Sequence, residues 1–248
     1  MKYAKKFSSM EDYGTWRCGS NYQIPSVTYV PGESAVIYHK FFDSNNYDYV
    51  DLALPSGTMW ATMNLGAQSS SDPGDYIAWG ELYSKDTYTN EEYYFYNGPD
   101  TEYWKYNSSD NTSTLSQSDD AAYDYLNGDW HIPTEEQWRE LVAYTDMTSA
   151  ASGCTFTGGN GNSIFLPSTG YMSGTTLTSF GDLWYQANSI DINLQRTVAF
   201  VHFNGNNYLG IASGYRYEGY VIRPVLGKGR TPRYMQGSGG ENPGEVIK

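Results

Sequence analysis

Residue types able to do chemistry are few in this chain, and they are scattered. Three histidines, His39, His131 and His202, lie in separate segments of the 248 residues. None stands in an HxH or HExxH spacing or beside a cysteine, so no zinc-ligand set is read from them. There is no GxSxG elbow and no Cys next to a His, which leaves no activated nucleophile to assign. Adjacent carboxylates occur at Glu91-Glu92, Asp119-Asp120 and Glu135-Glu136. A glycosidase needs two carboxyls about 5–10 Å apart across a cleft, whereas two of these pairs read more simply as a loop and a helix start. Oxygen-rich stretches at Asp72 to Asp75 and Asp110-Asn111 offer donors of the kind calcium takes. The expectation is therefore no catalytic residue, no metal site and no cofactor, with calcium the one cation such loops would suit.

What the chain has in abundance is aromatic rings: 25 Tyr, 9 Phe and 7 Trp among 26 Gly. A core built from large rings and glycine turns favours short strands and loops over long helices. The 28 acidic against 15 basic side chains give a net charge of -13. That balance excludes a nucleic-acid partner, which needs a basic face. No run approaches the roughly 20 apolar residues of a membrane span, so no membrane insertion is expected. The opening MKYAKKFSSMEDYG carries basic residues without an apolar h-region, so no secretion signal is read there. Cys18 and Cys154 fall in segments assigned to different units and are expected to remain thiols outside any disulfide.

The elements that would position side chains follow from periodicity and turn residues. Residues 1–45 read as a small β-rich attachment module, with Ile24 to Val30 and Ala35 to Phe41 as strands about the Pro31-Gly32 turn. Short strands are expected at Met59–Ala61 and Tyr76–Trp79, between glycine turns. Residues 84 to about 118 are polar and tyrosine-rich and read as a long surface insertion. Asp119 to Leu126 reads as a short helix. The clearest helix opens at Pro133-Thr134: Thr134 and Gln137 have capping-box spacing, and Trp138, Leu141 and Val142 form one apolar stripe. Phe156 to Ile164 reads as a hairpin around Gly158-Gly159 and Asn160-Gly161. Thr197 to Phe203 alternates, which sets Phe200 and His202 on one face against Val201 and Phe203 on the other. Val221 to Val225 is expected as the closing strand, and 227–248 as a flexible Gly/Pro-rich tail.

Four phrases carry a resemblance: VDLALPSGTMWATMNLGAQSSSDPGDYIAWGE from Val50, WHIPTEEQWREL from Trp130, GNSIFLPSTGYMSG from Gly161 and GYVIRPV from Gly219. In order and wording they resemble the Fibrobacter succinogenes major-paralogous domain of Bacteroidetes. That family is a branch of the C-type lectin-like fold related to the formylglycine-generating enzymes. The resemblance implies an α+β, C-type lectin-like domain over 46–226, behind the β-rich module. The oxidase activity of the related enzymes uses cysteines in their C-terminal region, and this chain has none after Cys154. The EPN and WND calcium-sugar motifs of sugar-binding C-type lectins are also absent. More loosely, the opening resembles that of Bacteroides phage structural proteins.

In many members of the family the stretch matching Leu183 to Val225 is rewritten by diversity-generating retroelements. Trp184, Val201, Phe203, Arg216, Gly219, Tyr220, Arg223, Pro224 and Val225 match the fixed framework. The positions between them are implied as ligand-binding: Tyr185, Ala187, Asn188, Ile190, Phe200, His202, Tyr208, Gly210, Ala212, Ser213, Gly214, Tyr215, Tyr217 and Glu218. Their Tyr, Ser, Gly and Asn content is independently that of a paratope, where Tyr gives broad amphipathic contact at low entropy cost. The resemblance implies a non-enzymatic protein that binds a protein or glycan on a bacterial surface and sits on a virion, such as a phage tail, or on an extracellular surface. Homo-oligomers on a particle occur among its members. The alternative is an adhesin with a fixed carbohydrate ligand.

Overall fold

The computed structural model describes residues 47–98, 103–194, 196–203 and 208–227, with 196–203 and 208 described by backbone alone. The expected 1–45 module with Cys18 and His39, and the tail from 228 onward, lie outside the described residues. The fold is mixed and mostly sheet, with few helices, compatible with the α+β expectation. No helix among the described residues is long and apolar enough to cross a membrane.

In chain order the strands are β1 Tyr49–Asp51, β2 Met59–Ala61, β3 Ile77–Ala78, β4 Trp130–His131, β5 Thr145–Ala150, β6 Gly153–Gly158 and β7 Ser163–Pro167. They continue with β8 Tyr171–Ser173, β9 Thr176–Thr178, β10 Leu183–Asp191, β11 Arg196–Phe203, β12 Tyr208–Tyr215, β13 Gly219–Tyr220 and β14 Val225–Leu226. Among the described residues these form four sheets, ordered β1-β2-β14-β4, β3-β13-β8-β9, β5-β6-β7 and β10-β11-β12. The hairpin expected around Gly158 to Gly161 is the β6–β7 pair.

Helix α1, Ala121–Leu126, is capped by Asp120, whose carboxylate accepts from the Ala122 and Tyr123 amides at 2.9 and 3.1 Å. The same carboxylate takes the Ile132 amide at 3.0 Å, which ties α1 to the end of β4. Helix α2, Glu135–Tyr144, starts at the expected capping box: the Gln137 amide donates to Thr134 Oγ1 at 3.1 Å, and Gln137 Oε1 accepts from the Thr134 amide at 2.9 Å. Its Trp138 and Leu141 are buried, and Trp138 packs on Trp60 at 4.7 Å between ring centres. The Trp138 indole N–H donates to Gln186 O, so α2 is fastened to β10 by a buried hydrogen bond.

Two expectations are corrected. Val221 to Val225 does not form one strand. β13 pairs with β3 and β8, Val221 bridges to Tyr185, and β14 pairs with β2 and β4. Arg223 accounts for the break, since its side chain turns into the core and donates to Asn64 Oδ1, Ala61 O and Phe165 O at 2.8, 3.0 and 2.8 Å. Pro224 beside it has no amide hydrogen to offer a ladder. The second correction concerns 84–118. Glu91, Glu92 and Trp104 are exposed as a surface insertion would have them, but Tyr88, Tyr93, Phe95 and Tyr106 are buried and form a third core with Trp79 and Ile190.

Candidate ligand-binding face

Strand β12 ends in a tight turn, with the Glu218 amide donating to Tyr215 O at 3.1 Å. Four consecutive residues then take very different places. Tyr215 is 43% exposed, Arg216 is fully buried, Tyr217 is half-buried, and Glu218 is 7% exposed. The two tyrosine rings stack at 5.1 Å with 16° between their planes. Beneath them the Arg216 guanidinium donates to Tyr93 Oη, Tyr106 O and Lys105 O at 2.9, 2.9 and 3.1 Å. It also lies over the rings of Trp79, Tyr93, Phe95 and Tyr103, closest to Tyr103 at 4.3 Å. Such cation–π contacts strengthen when the cation is desolvated.

The other side of the turn is held by Glu218. Its Oε2 accepts from the Tyr220 hydroxyl at 2.6 Å and from the Tyr215 amide at 3.2 Å. Tyr220 stacks on Tyr171 and Trp184 at 5.6 and 6.0 Å. Gly214 is required where it is: a Cβ there would sit 2.0 Å from the Tyr220 hydroxyl oxygen. The result is a pair of stacked tyrosines on a turn whose backbone is fixed from both sides.

Three phenols at this turn, those of Tyr217, Tyr171 and Tyr103, hold their protons. Burial, followed by the nearby Glu218 carboxylate and Tyr215, pushes Tyr217 up to about 12. Burial and Glu218 raise Tyr171 as well, and burial raises Tyr103 against the opposing charge of Arg216. At neutral pH these three therefore offer rings and hydroxyls as contact groups rather than phenolates as nucleophiles. Burial also pushes the Cys154 thiol up, away from the thiolate that covalent chemistry would need.

The expected binding positions divide sharply. Ser213 and Tyr215 are exposed, and Tyr217, Asn188, Gly210 and Ala212 are half-buried. Tyr185, Ala187, Ile190, Gly214 and Glu218 are buried, a correction to their expected place on a ligand-facing surface. The Tyr185 hydroxyl donates to Pro167 O at 2.9 Å, Ala187 O accepts from the Trp79 indole at 3.1 Å, and Ile190 packs in the aromatic core. Phe200, His202 and Tyr208 are placed by backbone register only. Register puts Phe200 opposite Tyr185 and Ile211, and His202 opposite Leu183 and Leu209. Opposed residues of an antiparallel pair share a face, and those four neighbours belong to or pack on the main core. Position 201, between them, is aligned with Trp184 and Gly210.

Tyr103, from the segment read as a surface insertion, lies under the Arg216 guanidinium and so belongs to the support of this turn. A signal was available in the run EEYYFY from Glu91, where ring density is too high for an ordinary solvated loop. The carboxylates of the oxygen-rich stretches considered for calcium accept backbone amides in turns. Asp110 accepts from the Tyr106, Asn107 and Thr112 amides, and Asp72 from Gln68 and Gly74. No group of three or more His, Cys, Asp or Glu suited to a metal ion occurs among the described residues.

Comparison of the chain with known protein families, with characterised proteins and with solved structures gives no match.

Proposed function

We propose that this chain is a non-enzymatic binding protein on a C-type lectin-like scaffold, with the end of β12 and the turn after it as its ligand-binding face. The observation that carries the reading is the stacked Tyr215–Tyr217 pair, held half in solvent by a buried arginine on one side and a buried glutamate on the other. A fold that only needed to hide tyrosines would not fix two of them rigidly at the surface, and rigid aromatics are what binding sites use for affinity at low entropic cost. The ligand is a protein or glycan of a bacterial surface. The positions open to retroelement diversification are then the accessible ones, Ser213, Tyr215 and Tyr217, with Asn188, Gly210 and Ala212 at their margin. A phage tail or an extracellular surface is the setting we assign.

Labelled protein applied to bacterial envelope preparations provides the test. Saturable binding that is lost in Tyr215→Ala, with unchanged thermal unfolding, supports the face; binding indifferent to Tyr215 and Tyr217 sinks it. A second reading, a fixed-ligand carbohydrate adhesin, is favoured by the near-parallel rings, since sugars stack on flat aromatic surfaces. Deep sequencing of the codons for 184–218 across the source population separates the two. Variation concentrated at the accessible positions supports diversification, and an invariant segment supports the fixed ligand.

A further inference from the structure

We propose that Asn127–Gly128 is a site of spontaneous backbone modification, where the asparagine cyclises to a succinimide and reopens as aspartate or isoaspartate. It lies between α1 and β4 and owes nothing to the binding-face reading. The Gly128 amide nitrogen, after giving its proton to hydroxide, attacks the carboxamide carbon Cγ of Asn127. A bond forms between that nitrogen and Cγ, the bond from Cγ to Nδ2 breaks, and Nδ2 leaves as ammonia with a proton from water, which regenerates the hydroxide. One water then adds at either carbonyl of the ring and opens it, to aspartate or to an isoaspartate whose backbone runs through Cγ. Overall the chain takes up one water and releases one ammonia, with no change of oxidation state.

The attacking amide has to lose its proton, reach Cγ and find the leaving group untethered. Asn127 and Gly128 are both exposed. Among the described residues neither the Gly128 amide nor the Asn127 side chain makes a hydrogen bond. The bonds at this corner belong to the Asn127 backbone, whose amide donates to Tyr123 O at 2.8 Å and whose carbonyl accepts from the Trp130 amide at 3.4 Å. Asn127 leaves α1 with φ of 59° and ψ of -166°, which brings the Gly128 nitrogen round to the Cβ side of the residue, the side from which it reaches Cγ. Apart from its chain neighbours, no heavy atom lies within 4 Å of where a Cβ on Gly128 would stand, so the ring has room to close. The same dipeptide at Asn160–Gly161 is also exposed but tied. There the Gly161 amide donates to Gly158 O at 2.9 Å, Asn160 Nδ2 donates to Asp51 O at 2.9 Å, and Asn160 Oδ1 accepts from the Asn162 amide at 3.1 Å. A hydrogen-bonded amide gives up its proton only when the structure opens locally. The product at 127 sets a carboxylate at the C-terminal end of α1, where the helix dipole opposes it.

The intact chain, aged in mildly alkaline buffer and sampled over weeks, is digested with pepsin in acid and mapped by mass spectrometry. Electron-transfer fragmentation locates each converted asparagine and distinguishes isoaspartate from aspartate. In the folded protein, conversion at Asn127 is expected to run about tenfold or more faster than at Asn160, because only the latter waits on local opening. Ageing the same protein in urea is the control. Unfolding frees Asn160 and Gly161, so the two rates should come within about threefold of each other, residual structure accounting for the remainder. Equal rates in the folded protein, or a slower rate at Asn127, overturn the proposal. So does a folded protein that leaves Asn127 intact while the unfolded one converts it. A tenfold difference that persists in urea overturns it as well, since flanking sequence rather than the fold would then set the rates.

Discussion

Tyr93 and Phe95 in the irregular segment after residue 84, and Leu183 and Tyr185 in the β10-β11-β12 sheet, are all buried, but by opposite means. In the sheet, register does the work: Leu183 and Tyr185 are hidden because the ladder sets them in line with Leu209 and Ile211. Between 84 and 116 the described residues form no helix and no strand beyond the isolated bridges Tyr88–Gly174 and Thr114–Ser189. Side chains replace the ladder there. The Tyr93 hydroxyl donates to Trp79 O at 2.7 Å, the Trp104 indole to Tyr94 O at 2.9 Å, and the carboxylate of Asp110 takes three backbone amides. Buried backbone groups must be paired in some way, and a tyrosine can pair one while filling core volume with its ring. The two regions meet at Arg216, which leaves the end of the sheet and reaches carbonyls of the irregular segment.

Removing that junction should have the largest effect. Arg216→Ala would leave the carbonyls of Lys105 and Tyr106 and the Tyr93 hydroxyl short of a donor, and open a cavity among four rings. A loss of about 3–5 kcal/mol is expected, as for other buried charged groups whose network is broken. Urea unfolding followed by tryptophan fluorescence measures it. A loss below about 1 kcal/mol would mean that the irregular segment holds itself and that the comparison has been drawn at the wrong residue.

Gly214→Ala asks how tightly the sheet side of the turn is packed. The new methyl would meet the Tyr220 hydroxyl, itself hydrogen-bonded to Glu218, and overpacking of this kind costs about 1–3 kcal/mol. In a Tyr220→Phe background part of that cost should vanish, because the atom in the way is gone. Full additivity of the two substitutions would show that the turn relaxes elsewhere.

Much of the regular half was legible in the sequence, and the reasons are local. The Thr134–Gln137 capping box, the Gly158 to Gly161 hairpin and the strand at Met59–Ala61 each rest on residues within a few positions of one another. The failures are long-range. Nothing near Phe200 says that its position will be aligned with Tyr185 and Ile211, since alternation gives the period and leaves its phase open. Arg223 broke the closing strand because its acceptors lie at 61, 64 and 165. Polar composition around 84–118 suggested solvent, but tyrosine counts as polar and as core at once, and only the tertiary contacts of Tyr88 and Tyr93 decide which. The candidate face was legible as a stretch of chain and not as a set of side chains.

The acid limb of stability offers a smaller effect on the irregular side. Burial pushes the Asp119 carboxyl up, but hydrogen bonds from Lys105 at 2.5 Å and from Tyr106 at 2.6 Å outweigh it and hold it below the ordinary aspartate value. A depressed carboxylate adds stability that is complete above an unfolded value of about pH 4 and is lost as pH falls through the folded one. For this partly exposed pair the gain is about 1 kcal/mol or less. Unfolding curves of Asp119→Asn and the unaltered chain should therefore differ at pH 6, and the difference should narrow steadily as the pH is lowered below about 4. A difference that does not narrow with acid would assign the loss to packing.

Tyr215→Ala should have the smallest effect on folding, and for that reason says most about function. The ring is nearly half in solvent and its described ring contact is the stack with Tyr217, so truncation should cost under about 1 kcal/mol of stability. Its amide, which is what Glu218 holds, survives the substitution. If the stacked pair is a binding hot spot, affinity should fall by at least about tenfold, equivalent to 1.4 kcal/mol. Tyr185→Ala, removing a buried tyrosine of the same sheet, should do the reverse: it would damage the fold first and binding only through the fold. Equal damage to folding by both would erase the distinction between platform and core, and would put the β12 turn with the rest of the aromatic scaffold.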